Sequence, residues 1–422
     1  MSQDPSFPKL RELHVFPAEL SGRPVVGLRD PLNLSGKVLF FPPPAFFLIQ
    51  LCDGRHSLVD LQAEFLRRFG GLLFREKIQE LLDQLEENYF LDSERFRRVE
   101  GEMIRKFQDS PIRPSTLAGE SYENRPEDLR QTIDSYFRHP DGPGEGGPPA
   151  SGLTGAIAPH IDYRRGGPCY AWAHRALGEA SADLFVILGT AHAPLAQPFA
   201  LCRKDFETPF GPVETDRSFL AEFEARCPFD PYADEFAHQA EHSIELQVVF
   251  LRAVRRKPFA IVPVLCGSLH EAVRQGLSPL ELPGVGGFLE AVRSVLVQSP
   301  RRICLLASAD LAHVGPQFGD GEAPSRFSLE ALAADDRELL GFAERLDGEG
   351  FYRCVQREGD RRRICGLPPI YALLHLVPPG RGRLLKYSQA LDPATHSAVT
   401  FASLAFDSGG DPSGNPGKGE MG

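Results

Sequence analysis

The chain has 422 residues, of which 42% are hydrophobic and 24% charged, so it holds enough apolar material for a large core and wholesale disorder is excluded. Acidic residues (57) outnumber Lys and Arg (46), and the formal net charge of −11 disfavours non-specific attraction to nucleic acid or anionic membrane, leaving only a local basic groove open. No stretch approaches the ~18 apolar residues of a membrane span, the start Met-Ser-Gln-Asp-Pro has neither a basic nor an apolar leader segment, and the eight cysteines form no Cys-x-x-Cys pair, so a soluble cytoplasmic protein with reduced thiols is expected.

In chain order, Val25–Leu28 and Lys37–Phe41 read as short strands, and Ala45–Leu51 as an apolar stretch before an Asp53-Gly54 turn. Ser57 caps a predicted helix over Leu58–Phe69, a second helix runs over Arg75–Glu87, and Tyr89–Leu91 reads as a closing strand. This order predicts a small winged-helix-like module. With Leu51-Cys52-Asp53-Gly54 ahead of a Ser-Leu helix, residues 23–92 resemble the PqqD-like peptide-recognition domains of modified-peptide biosynthesis, which implies a peptide ligand. The second helix sets Arg75 and Lys77 against Glu76, Glu80, Asp83, Glu86 and Glu87, a charge that repels phosphates and argues against a DNA role. A structural appendage without ligand fits the pattern equally well.

The segment 139–152, HPDGPGEGGPPASG, reads as a linker that closes an amino-terminal region of residues 1–138. Residues 153–406 then alternate between strands (near 153–158, 184–188, 259–265, 303–307, 384 and 398–406) and helices (168–177, 241–254, 288–297, 328–345 and 368–376). Such alternation predicts an α/β domain with a mostly parallel sheet flanked by helices. Residues 407–422 are too polar and glycine-rich to form a core and read as a disordered tail.

In an open α/β sheet, ligands gather beyond the carboxyl ends of the parallel strands. Three strands run into Pro159-His160, Gly189-Thr190-Ala191-His192 and Ser308-Ala309-Asp310-Leu311-Ala312-His313, so parallel pairing would collect His160, His192, Asp310 and His313 on one edge. Imidazole with carboxylate suits either a divalent transition metal or acid and base catalysis around a substrate. His242, in Glu241-His242-Ser243-Ile244-Glu245, is a further candidate at a helix start, where Glu241 and His242 also fit as surface and capping residues. Cys365 stands between Arg361-Arg362-Arg363 and a helix start, surroundings expected to favour its thiolate, whereas Cys266 and Cys304 read as inert core residues.

Taken together, Ala-Pro-His160, Leu-Gly-Thr-Ala-His192, Glu-His242-Ser-Ile-Glu245, Ile-Val-Pro-Val-Leu, Ser-Ala-Asp310-Leu-Ala-His313 and Ile-Cys365-Gly resemble the Memo-like family, also called AmmeMemoRadiSam system protein B, over about residues 152–407. The resemblance implies a fold similar to the class III extradiol dioxygenases and their LigB-like relatives. It implies His160, His192 and Cys365 as metal ligands for iron(II) or copper, and places His313 where the ring-cleaving enzymes carry a catalytic histidine; His242 and Asp310 are expected to orient groups around that site. Two departures are Ala193, where many members have a second histidine, and Ile161-Asp162-Tyr163 after the first histidine. The family name further implies radical S-adenosylmethionine and AMMECR-like partner proteins; no Cys-x-x-x-Cys-x-x-Cys cluster motif lies in this chain. The leading functional expectation is a metal-binding redox protein or oxidoreductase. A non-enzymatic scaffold that holds a peptide or partner, and metal-assisted hydrolysis, are the alternatives.

Overall fold

The structure is a computed structural model that describes residues 7–31, 34–144 and 152–408. The predicted tail from residue 409 and residues 145–151 of the predicted linker lie outside the described residues. Two compact units emerge: residues 1–111 with 314–324 and 391–397, and residues 112–313 with 325–390 and 398–422. The division therefore falls after Pro111, ahead of the glycine- and proline-rich segment. The reason is packing: Arg113 is fully buried, and Leu129 and Ile133 join a cluster with Tyr163, Tyr170 and Phe250.

In the first unit, β1 (His14–Leu20), β2 (Arg23–Arg29) and β3 (Val38–Phe41) form an antiparallel sheet in that order. Ser21 and Gly22 both have positive φ, the conformation that a two-residue hairpin turn requires. Helices α1 (Pro43–Gln50), α2 (Leu58–Phe69), α3 (Arg75–Glu87) and α4 (Glu94–Asp109) follow. A reciprocal capping box between Ser57 and Asp60 starts α2, and Gly70 in the left-handed region ends it. The predicted closing strand is absent: Tyr89 has a φ of 59°, Leu91 makes an isolated bridge to Leu10, and Ser93 caps α4 two residues later. Leu28, Ile49, Leu61, Ile78, Leu85 and Phe90 form the centre of this unit's core.

The second unit runs β4 (Ile112–Arg113), α5 (Pro126–Arg138), β5 (Leu153–Ala158), α6 (Tyr163–Glu179), β6 (Leu184–Thr190), β7 (Phe199–Leu201), β8 (Asp205–Phe206), α7 (Arg217–Glu224), α8 (His242–Val254) and β9 (Ala260–Cys266). It continues with α9 (His270–Gln275), α10 (Val285–Gln298), β10 (Ile303–Ser308), β11 (Asp310–Val314), α11 (Arg326–Glu344), α12 (Gly348–Arg357), α13 (Leu367–Leu376), β12 (Gly380–Asp392) and β13 (Ser397–Ser408). Eight strands make one sheet in the order β11-β13-β5-β10-β6-β9-β7, with β12 beside β13.

The four middle strands, β5, β10, β6 and β9, are parallel, while β13 joins β5 and β7 joins β9 in antiparallel sense. The sheet is thus mixed rather than mostly parallel, because β7 and β13 add to the margins of the parallel core in the opposite sense. Leu184, Val186 and Leu188 of β6 enter a core cluster with α10 and α13, while α6 and α8 contribute Tyr170 and Phe250 to another. Register aligns Ala158, Ser308 and Gly189 across three adjacent strands, so the chains leaving β5, β10 and β6 start from one line.

Candidate metal centre

His160 lies two residues beyond Ala158, and His192 three beyond Gly189, so the shared register sets both above the same sheet edge. Two glycines allow the remaining elements to close in. A Cβ on Gly189 would lie 2.6 Å from both Ile244 Cγ1 and Ser243 Oγ, so a side chain there would push the start of α8 outward. A Cβ on Gly366 would meet the Asp310 carbonyl at 2.3 Å, and Gly366 N–H donates to that carbonyl at 3.1 Å, which seats Cys365 beside the strand ends. Thr190 Oγ1 donates to the Cys365 carbonyl at 3.1 Å.

The rings of His160, His192 and His242 lie with centroids 4.5–5.4 Å apart, His192 and His242 being stacked. Cys365 Sγ is 3.3 Å from His160 Nε2. One ligand atom from each of His160, His192 and Cys365 falls within 4.8 Å of the other two. A metal with bonds of about 2.1 Å to nitrogen and 2.3 Å to sulfur needs its ligand atoms no more than ~4.4 Å apart, a distance that small side-chain rotations supply.

The protonation pattern fits ligation. His160 Nδ1 is 3.0 Å from the Ser308 carbonyl, which can only accept, so Nδ1 carries the proton and Nε2 offers its lone pair. His192 Nδ1 is 3.0 and 3.2 Å from the two oxygens of Glu241, which fixes the same tautomer. Anchoring the distal nitrogen in this way is how metal-binding histidines are held.

Glu241 also accepts from the His192 and Ser243 backbone N–H groups, both at 2.9 Å, and lies 3.2 Å from His242 Nδ1. His192, Glu241 and His242 form a second possible ligand group, in which both Glu241 oxygens also accept hydrogen bonds that orient His192. Burial opposes its charge, yet His192 and His242 hold Glu241 well below the usual carboxylate range. In turn, Glu241 overcomes burial to raise His192, while burial and the neighbouring imidazoles push His160 well down.

Asp310 Oδ1 accepts from the His160 backbone N–H at 2.9 Å, and Oδ2 lies 3.7 Å from His160 Nε2. Burial pushes its carboxyl up to about 7. His242 is lowered to about 4 by the protein that surrounds it and by His192. His313, expected just past a strand, instead sits inside β11, with Nδ1 3.1 Å from the carbonyls of Leu311 and Arg363. It stays outside the ligand group, and burial lowers it to about 4.

Cys365 corrects the expectation of a ready thiolate. Arg361 pairs with Asp335 and Glu358, and Arg362 with Asp336 and Glu358, while Arg363 donates to the His313 carbonyl. With the arginines engaged elsewhere, burial and then Asp310 push the Cys365 thiol well above its ordinary range. A metal bound through this sulfur would have to displace the proton. Glu241, expected as a surface or capping residue, does cap α8 but is only 7% exposed, and its contact with His192 was not foreseen. Its place directly before His242 was the available signal, and the structure shows that it caps α8 while anchoring His192.

Fold and site together define the class: an α/β protein with two tautomer-fixed imidazoles and one thiol converging above the parallel strands. The model of the family described as Memo-like protein matches residues 113–405, and the chain belongs to that family. The chain is 28% identical to a MEMO1 family protein of Aquifex aeolicus over 90% of this chain and 95% of the relative. It is 30% identical to one of Thermus thermophilus, over 84% of this chain and the whole relative. A MEMO1 family protein of Methanothermobacter thermautotrophicus is 32% identical over its full length but takes in 70% of this chain.

Proposed function

We propose that the protein is a metal-binding redox protein or oxidoreductase that holds iron(II) or copper through His160, His192 and Cys365. The observation that carries this reading is the pair of imidazoles with Nδ1 committed to Ser308 and Glu241 and Nε2 left to meet Cys365 Sγ. Kinship with the class III extradiol dioxygenase fold belongs to the same proposal. Two imidazoles and a thiolate suit either metal, which when bound supplies a redox couple and open coordination positions.

The chain's own groups then divide the work. Glu241 orients His192, and Ser308 orients His160. Asp310, with a carboxyl near 7, can hold or release a proton at neutral pH, and neutral His313 can accept one. A second reading, a scaffold for a peptide or for radical S-adenosylmethionine and AMMECR-like partners, draws on the amino-terminal unit. The family model begins at Arg113, beyond that unit's main segment, yet the Aquifex alignment of 382 residues must extend into it.

The experiment is metal analysis of protein purified without chelator, followed by turnover of catechols and simple esters with and without dioxygen. His160→Ala, His192→Ala and Cys365→Ser should each abolish most bound metal, and Glu241→Gln should weaken metal affinity by about 10- to 100-fold. Cys304→Ser, in an apolar strand, should change nothing. Full iron and copper stoichiometry in all three ligand variants would overturn the assignment. Dioxygen-dependent turnover supports the oxidoreductase, oxygen-independent ester cleavage a hydrolase, and bound metal without turnover the scaffold.

A further inference from the structure

A groove of about 1110 Å³ on the second unit shares no residue with the histidine cluster. Its walls come from α5, the carboxyl ends of α6 and α8 and the chain that follows α8. In a protein of net charge −11, seven basic side chains line this one groove against two carboxylates, Asp134 and Glu179.

Three of the seven have structural work. Arg255, 5% exposed, donates to the carbonyls of Leu177, Ala180 and Ala182 at 2.6–3.2 Å and so caps the end of α6. Arg130 donates to the Ala253 carbonyl at 3.0 Å. Arg175 donates to the Gly144 carbonyl and lies over the Phe137 ring. Even here the buried Nε atoms of Arg175 and Arg255 have no hydrogen-bond partner among the described residues.

The other four, Arg138, Arg252, Arg256 and Lys257, make no ion pair or side-chain hydrogen bond among the described residues. Helix carboxyl ends attract cations, which accounts for Arg138 and Arg252 in the last turns of α5 and α8 but not for Arg256 and Lys257, which follow α8 and lie in no helix. Seven basic groups facing two carboxylates leave an excess of like charge that repels itself, and a single multivalent anion relieves that repulsion. Arginine forks and a lysine point charge match phosphate oxygens, and the groove is large enough for a compound of nucleotide size. Ile133 and Phe137 add an apolar wall for an organic portion.

We propose that this groove is a binding site for a multiply charged phosphate compound, held by Arg138, Arg252, Arg256 and Lys257. The site is independent of the metal centre. Inorganic triphosphate and adenosine triphosphate are the probes, titrated calorimetrically into the full chain at low and physiological salt.

The expected result is one-site binding that weakens with salt and falls by about tenfold or more in the Arg138→Gln/Arg252→Gln/Lys257→Gln variant. Binding should persist in His160→Ala, which separates the groove from chelation at the metal centre. It should also persist in Arg67→Gln/Arg326→Gln/Arg357→Gln, which removes equal charge from exposed positions elsewhere. Equal affinity for both probes assigns recognition to the phosphates alone, and tighter binding of the nucleotide adds the apolar wall. If the triple variant misfolds, Lys257→Gln by itself should still weaken binding by a few fold. No binding of either probe, equal loss in both triple variants, or tighter binding of duplex DNA than of triphosphate would overturn the proposal.

Discussion

The amino-terminal unit and the sheet-bearing unit bury different chemistry. In the first, Leu28, Ile49, Leu61, Ile78, Leu85 and Phe90 close an apolar core, and the charged side chains held inside are Arg11 and Asp30, paired with each other at 2.9 Å. In the second, His160, Thr190, Glu241, Ser243, Ser308 and Asp310 are all buried along one sheet edge. An apolar core is explained by stability alone. Buried imidazoles and carboxylates cost free energy unless each is partnered, so their concentration at the strand ends singles out the candidate site. The family model begins at Arg113, just past the first unit's main segment, and runs on through that unit's two short segments, 314–324 and 391–397.

Three perturbations test this contrast. The largest effect is expected at Arg113, fully buried and ion-paired with Glu245, whose carboxylate also accepts from Leu117 N–H at 2.9 Å and Thr116 N–H at 3.1 Å. Arg113→Met leaves that carboxylate uncompensated and should cost about 3–5 kcal/mol in denaturant unfolding, with part of the loss restored by adding Glu245→Gln. A loss below about 1 kcal/mol would place this pair with ordinary surface contacts and break the contrast.

His174 gives the next effect. It is buried between Tyr170 and Phe250, and burial lowers it to about 4 from an ordinary 6.5. The unfolded chain then binds more protons between those values, so the stability this histidine contributes is lost as pH falls from 6.5 to 4. Unfolding measured across that window should show the wild type losing about 3 kcal/mol more than His174→Phe. His56 of the first unit is shifted the other way by its hydrogen bond to Asp53, so its contribution is present at low pH and lost on raising it. Parallel pH profiles for wild type and His174→Phe would remove this part of the contrast.

The smallest effect belongs to the first unit. Ser57→Ala removes the capping box of α2 and should lower stability by about 1 kcal/mol without changing metal content. Loss of metal in that variant would show that the two chemistries are not separable.

Much of the fold was legible because its signals are local. Helical spacing of Leu58, Leu61 and Phe65, the Ser57 cap and the apolar run Leu184–Leu188 each lie within a few residues, and the corresponding α2 and β6 form as expected. Strand β1 escaped because its residues are mostly exposed and carry no apolar alternation. The helix at 168–177 extends back to Tyr163 because Asp162 caps it, accepting from Arg165 N–H at 3.2 Å, and Pro168 sits within it. At the site, the gathering of His160 and His192 followed from strand ends, but the burial of Glu241 and the engagement of the arginines did not.

By itself the sequence determined the α/β alternation, the strand-end histidines and the family, since hydrophobic period, caps and ordered motifs are properties of neighbouring residues. Only the tertiary structure decided which groups share a partner. Glu241 meets His192 across 49 residues of chain and Cys365 meets His160 across 205. Proton positions and the protonated state of the Cys365 thiol depend on the water removed and the charges brought in by those distant segments, and no local pattern encodes either.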